Sequence, residues 1–135
     1  MSNCFILKKK YKIRKILCFS KDTEKIKRLK QEIFEETGLS VLSSFADNME
    51  VTAPKAQKGI MLKQVAEYYD IKSEEVVVFG DGWNDLSMID QFPESYAMKN
   101  GTRELKERAA HITEYTNEES GVGKTVLKLL GRKNP

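Results

Sequence analysis

Histidine is almost missing from this chain of 135 residues; His111 is the single one. A His-based zinc site or a Ser-His-Asp triad therefore has little to work with. Cysteine is scarce too. Cys4 and Cys18 match no metal-binding spacing, and in a reducing compartment they are expected as free thiols. No apolar run approaches the ~20 residues that span a bilayer. At the N-terminus, Cys4-Phe5-Ile6-Leu7 meets Lys8-Lys9-Lys10 at once, which is not the apolar stretch of a signal peptide. The expected place is the cytoplasm, with no membrane partner. Neither an internal repeat nor a low-complexity segment is present. A 40% apolar and 32% charged composition fits a globular protein, either one domain or pieces of two small ones.

Positive charge is unevenly placed. Residues 1–30 hold 11 Lys/Arg against 2 Asp/Glu, and the remaining 105 hold 12 against 18. A basic N-terminal segment suits nucleic acid, and equally the solvated lysine faces of a strand and a helix. Lys8-Lys9-Lys10-Tyr11-Lys12 offers one aromatic and no nucleic-acid motif. The solvated faces are preferred, and salt-dependent binding would be the sign of the other case.

Periodicity organises the rest. Ile13 to Phe19 predicts a strand. Residues 22–37 predict a helix capped by Asp22 or Thr23, with Ile26, Leu29, Ile33 and Phe34 as its apolar stripe and Gly38 as its stop. Val41–Phe45 and Met49–Thr52 form a hairpin around Ala46-Asp47-Asn48, and Pro54 ends the unit. A helix starting at Lys58-Gly59 follows, with Ile60, Leu62, Val65, Ala66 and Tyr69 inward. Next come a strand at 75–79, an acidic turn, a helix at 84–91 and a short strand at Ser95–Met98. The chain closes with a helix at 102–110, a short strand at His111–Thr113 and a helix at 121–130. Alternating strands and helices predict an α/β fold with helices flanking a parallel sheet. The expected division is 1–54 and 55–135.

Val76-Val77-Val78-Phe79-Gly80-Asp81-Gly82-Trp83-Asn84-Asp85 carries the chemistry. A buried strand runs into a turn that holds two carboxylates and a carboxamide, at the strand end where open α/β sheets bind ligands. Asp81 and Asp85 are hard oxygen donors of the kind Mg²⁺ takes. The plainer alternatives are a turn or N-cap role for Asp81, a dipole role for Asp85 and a cap role for Asn84. Gly80 and Gly82 are expected to allow a tight turn and close backbone approach. Trp83 is expected to pack, and His111 to be a surface or structural histidine. Gly121-Val122-Gly123-Lys124-Thr125 lacks the first glycine of a phosphate loop and is set aside.

Together these segments resemble the C-terminal part of a Cof-type phosphatase of the haloacid dehalogenase (HAD) superfamily. Gly80-Asp81-Gly82-Trp83-Asn84-Asp85-Leu86-Ser87-Met88 is similar to that family's Gly-Asp-x-x-Asn-Asp-x-x-Met motif. Lys58-Gly59, 23 residues before Asp81, resembles its lysine motif. Ala97-Met98-Lys99-Asn100-Gly101, then Lys106, Ala109-Ala110, Thr113, Asn117 and Gly121-Val122, resemble its ending. Lys99 departs from the usual Gly, and Gly101 from the usual Ala.

The resemblance implies a partial Rossmann-like core preceded by a small α/β cap remnant. It implies Mg²⁺ held by Asp81 and Asp85, phosphate bound by Lys58 and Asn84, and Lys58 and Asp85 as catalytic residues. In that family a phosphoaspartate forms on an Asp-x-Asp-Gly-Thr motif, which is not found here. Ser20-Lys21-Asp22-Thr23 is a poor substitute, because Ser20 has no base beside it. The expectation is a truncated phosphatase for sugar phosphates or small phosphate esters, inactive alone. A complementing N-terminal polypeptide or a homo-oligomer, formed along the unpaired sheet edge, is the expected partner. The alternative is a non-catalytic pseudo-phosphatase that serves as a binding module.

Overall fold

The computed structural model describes residues 13–43 and 45–131. Cys4 and the lysine run at 8–12 lie outside the described residues. Two sheets follow one another along the chain, in a mixed α/β architecture. The first is antiparallel, built from β1 (Lys15–Phe19), β2 (Ser40–Leu42) and β3 (Asn48–Thr52) in the order β1-β3-β2. Leu17 lies opposite Glu50, and Val41 opposite Val51. Helix α1 (Thr23–Thr37) packs across β2 and β3, burying Ile26 against the face that carries Met49 and Val51.

The caps of α1 are those the sequence predicts. The Asp22 carboxylate accepts from the Lys25 N–H at 3.0 Å, and Gly38 takes the left-handed conformation while donating to the Phe34 carbonyl. Phe34 itself is 61% exposed, so the buried stripe of α1 is narrower than predicted.

The β2–β3 hairpin is tied by side chains. The Ser43 hydroxyl donates to the Asn48 carbonyl at 2.5 Å, and the Phe45 N–H donates to the Asn48 carboxamide oxygen at 3.3 Å. These bonds take the place of the ladder, which explains why β2 ends at Leu42 rather than at Phe45.

The second sheet is parallel, in the order β4-β5-β6, from β4 (Val77–Gly80), β5 (Glu94–Ala97) and β6 (His111–Ile112). Helices α2 (Lys58–Tyr68), α3 (Leu86–Gln91), α4 (Arg103–Arg108) and α5 (Gly121–Leu129) accompany it. Val78, Ile89, Phe92, Ala97 and Leu105 form its core, with Leu62, Leu86 and Met88 against them. Burying each large side chain of this set contributes about 1.5–3 kcal/mol.

The elements shift slightly from expectation. Residues 73–75 form a 3₁₀ turn before β4, and the helix expected at 84–91 begins as a 3₁₀ turn over Trp83–Asp85. Helix α2 meets α3 along Gly59, Leu62 and Ala66, so Val65 and Tyr69 point outward at 48% and 66% exposure. Small residues let the two helices approach, and the contact stripe follows them rather than the bulkier apolar positions.

Among the described residues β4 has a neighbour on one side only. On one face of the sheet Phe79, Tyr96 and His111 stack in a row, with centroids 5.2 and 4.6 Å apart. Among the described residues, no helix is long and apolar enough to cross a membrane.

Candidate active site

The site grows from the end of β4. Gly80 closes the strand, and its carbonyl accepts from the Met98 N–H at 2.8 Å. Asp81 follows with an exposed side chain, and its carbonyl accepts from the Thr102 N–H at 3.0 Å. The 3₁₀ turn then brings Asp85 back underneath, 5% exposed. Its Oδ2 accepts from the backbone N–H groups of Asp81 and Gly82 at 3.0 and 3.3 Å. Its Oδ1 accepts from Lys58 Nζ at 2.5 Å.

Both oxygens of Asp85 are thus engaged, and the carboxylate fixes the turn that presents Asp81. Gly80 has an expected place and an unexpected reason. Its backbone is extended rather than left-handed, but a Cβ would lie 2.6 Å from Asp85 Cβ and 3.2 Å from Leu105. The glycine leaves room for the buried carboxylate.

Lys58 arrives from α2. Its neighbour Gly59 donates its N–H to the Ser87 hydroxyl at 3.0 Å and lies hard against α3. That contact sets the first turn of α2 over Asp85. Asn84 is half-buried and shares a cleft of about 380 Å³ with Phe45, Asp81, Gly82, Asn100, Gly101 and Thr102. On the other side of the turn, Lys30 of α1 lies 5.9 Å from the centroid of the Trp83 ring, where burial lowers its pKa.

The structure therefore brings Lys58, Asp81, Asn84 and Asp85 together. Phe45 was not among the site residues expected from the sequence, and Asn100 stood there only as part of the segment that resembles the family's ending. Phe45 comes from the first sheet, and no periodic signal marks a hairpin side chain that faces a cleft. Ser20 and Asp22 belong elsewhere: they follow β1 in the antiparallel sheet, and Asp22 is the helix cap. Thr125 donates back to the Gly121 carbonyl at 2.8 Å within α5, so that glycine pair opens a helix. His111 stacks on Tyr96 and sits 3.6 Å from Glu94.

The charge on Asp85 has a measurable consequence. Burial pushes its carboxyl up, but Lys58 and the backbone N–H groups of Asp81 and Gly82 outweigh burial and hold the pKa below the ordinary value of 3.8. A depressed folded-state pKa means that the contribution to stability is full above the unfolded value. It is lost as pH falls through the lower folded value. Urea unfolding should show a fall in stability below about pH 4, and Asp85→Asn should flatten that part of the profile. An unchanged profile in the variant would remove the charge pair from the account.

Comparisons with known proteins point to one family and one fold. The family model of haloacid dehalogenase-like hydrolases matches residues 2–126. A Bacillus subtilis 5-amino-6-(5-phospho-D-ribitylamino)uracil phosphatase is 36% identical over 118 residues, covering 87% of this chain and 41% of that protein. A second B. subtilis phosphatase is 35% identical, covering 85% of this chain and 40% of that one.

Among solved structures, a haloacid dehalogenase-like hydrolase from B. subtilis superposes with a TM-score of 0.80 at 34% identity, over 86% of this chain and 40% of that one. A Bacteroides thetaiotaomicron hydrolase of the same kind gives 0.73 at 29%, over 95% and 48%. The chain spans less than half the length of these relatives. A matching family model over most of the sequence, the shared fold, and a lysine–aspartate site at the end of the parallel strand make this chain a member of the haloacid dehalogenase-like hydrolases.

Proposed function

We propose that these residues form the metal- and phosphate-binding side of a phosphatase site for sugar phosphates or small phosphate esters. The observation that carries this is the buried Asp85 bridging Lys58 Nζ and the Asp81-Gly82 backbone, which leaves the Asp81 carboxylate free at the strand end. Lys58 and Asn84 take the phosphate oxygens, Lys58 as a point charge and Asn84 as an amide donor. Asp85 positions Lys58 and the turn. In this scheme residues 1–54 are the cap remnant and 55–135 the core.

Among the described residues no group of three or more His, Cys, Asp or Glu could hold a metal. Two carboxylates, one of them engaged by protein donors, fit part of a Mg²⁺ shell, with water and phosphate to fill the rest. Bound there, Mg²⁺ would shield the phosphate charge.

The covalent step of the family needs an aspartate that no Asp-x-Asp-Gly-Thr motif in these 135 residues provides. A complementing polypeptide alongside β4 would supply it, and the one-sided pairing of β4 offers it a place. That same open edge also favours a second function, a non-catalytic module that docks another chain. Amide NMR titration with Mg²⁺ and inorganic phosphate tests the site. Expected are roughly millimolar Mg²⁺ affinity, shifts at Gly82 and Asn84, and loss of both in Asp81→Asn. Micromolar binding indifferent to Asp81, or no binding at all, would overturn the proposal.

A further inference from the structure

A second cavity, of about 540 Å³, opens where α5 passes β6. It shares no lining residue with the cleft at Asp81, and the phosphate scheme makes no use of it. Its apolar part is Ile112 of β6 and Leu129 of α5, at 53% and 50% exposure. Tyr96 adds a ring edge, because Phe79 and His111 on the flanking strands stack against its two faces. An aromatic edge carries the positive side of the ring quadrupole and suits the face of another ring.

The polar part is cationic. Lys124 Nζ stands 3.9 Å from the centroid of the Tyr115 ring, and Lys128 pairs with Glu114. The phenol groups of Tyr96 and Tyr115 lie close enough to Lys128 to act on its ammonium. Neither phenol hydroxyl has a hydrogen-bond partner among the described residues. Two ammonium groups and two unused O–H donors therefore meet beside an apolar wall. A ligand pocket has this make-up, apolar with a few convergent polar groups, and the volume falls in the usual range. Charge then selects the ligand. Among the lining residues Lys124 and Lys128 stand against Glu114 alone, a surplus of one positive charge with His111 counted as neutral. A monoanion balances that surplus, and a phosphate-ester dianion overshoots it.

We propose that this cavity binds a small aromatic monocarboxylate. The ring packs on Ile112, Leu129 and the Tyr96 edge, and the carboxylate accepts from Lys124, Lys128 and the phenol hydroxyls. The cavity is also tied to the cleft. Thr113 lines it, donating its hydroxyl to the Tyr115 carbonyl at 2.7 Å and accepting from the Lys99 N–H at 2.9 Å. Two residues after Tyr115, Asn117 accepts from the Asn100 carboxamide at 2.7 Å and donates its N–H back at 3.2 Å. Asn100 lines the cleft at Asp81, so a ligand that moves Tyr115 is felt there.

NMR titration of the native chain tests this, with benzoate, acetate and inorganic phosphate as probes at matched ionic strength. Benzoate should saturate at roughly millimolar concentration. It should shift Ile112, Tyr115 and Leu129, with the Asn100 side-chain amide following. Acetate has the charge without the ring and should bind about tenfold more weakly. Phosphate should not displace benzoate. Tyr96→Phe removes one hydroxyl and keeps the stack, and Lys124→Met removes one charge. Each should weaken benzoate about fivefold, with circular dichroism checking that both variants fold. Benzoate shifts that never saturate, that acetate reproduces equally, that phosphate reverses or that persist unchanged in both variants overturn the site. Benzoate shifts that leave Asn100 unmoved overturn its tie to the cleft.

Discussion

A polypeptide of these 135 residues, purified alone, should release no p-nitrophenol from p-nitrophenyl phosphate above the buffer rate. The reason lies in what each carboxylate is doing. Asp85 is buried with both oxygens taken by Lys58 and by backbone N–H groups, so it is not free to attack. Asp81 has no side-chain hydrogen bond or ion pair among the described residues, but in the proposed scheme it serves the metal side of the phosphate. In the proposed scheme Lys58 and Asn84 hold and polarise the ester. Binding and electrostatic groups left without their nucleophile retain about 10³–10⁴-fold over water in the best-studied case. Uncatalysed hydrolysis of phosphate monoesters is so slow that this residue stays below detection. Mg²⁺-dependent turnover that follows the chain through purification and vanishes in Asp81→Ala would overturn this expectation. The nucleophile would then be sought in an aspartate delivered across a dimer interface.

Replacing Gly59 by alanine should be the most damaging single change to the fold. A Cβ there would lie 1.9 Å from the Ser87 carbonyl oxygen and 2.4 Å from its carbon. These are backbone atoms inside α3, and they do not swing aside as the end of a side chain does. Overpacking of this kind costs about 3 kcal/mol or more, read as a lower urea midpoint. The damage should reach the site as well. Pushing α2 off α3 lifts Lys58 from Asp85, so phosphate affinity should drop along with stability. Gly123→Ala serves as the control. It sits in α5 with nothing within 4 Å of its Cβ position, and alanine should stabilise that helix by about 0.5–1 kcal/mol. A Gly59→Ala chain as stable as the native one would contradict the α2–α3 contact.

The order of strands and helices was legible in the sequence because apolar periodicity is a local signal. Ile26 on its helix, and Val78 on its strand, obey it. The turn at Gly80–Asp85 was legible for the same reason, since strand, glycine and carboxylate stand next to one another in the chain. Phe34, Val65 and Tyr69 misled because periodicity gives a face and not what covers it. Tyr69 lies on the apolar side of α2, yet the contact with α3 runs through Gly59 and Ala66. The reason for Gly80 was also hidden. A tight turn was the natural expectation, but the cause is a carboxylate packed beneath it from five residues on. Phe45 was the least legible of all, because its partners Asp81 and Asn84 are far away in sequence and one exposed aromatic in a hairpin has no pattern to betray it.

Trp83 is the only tryptophan in the chain. It stands in the acidic turn beside Asn84, about a third exposed, with Lys30 of α1 above its ring. The protein's indole fluorescence therefore comes from one place, at the seam between the two sheets and next to Asn84, a phosphate donor in the proposed scheme. Withdrawal of α1 removes a cation from that indole, and a ligand at Asn84 changes its water. Stopped-flow emission, excited where the indole absorbs and the five tyrosines do not, can follow both events in the unlabelled chain without a dye.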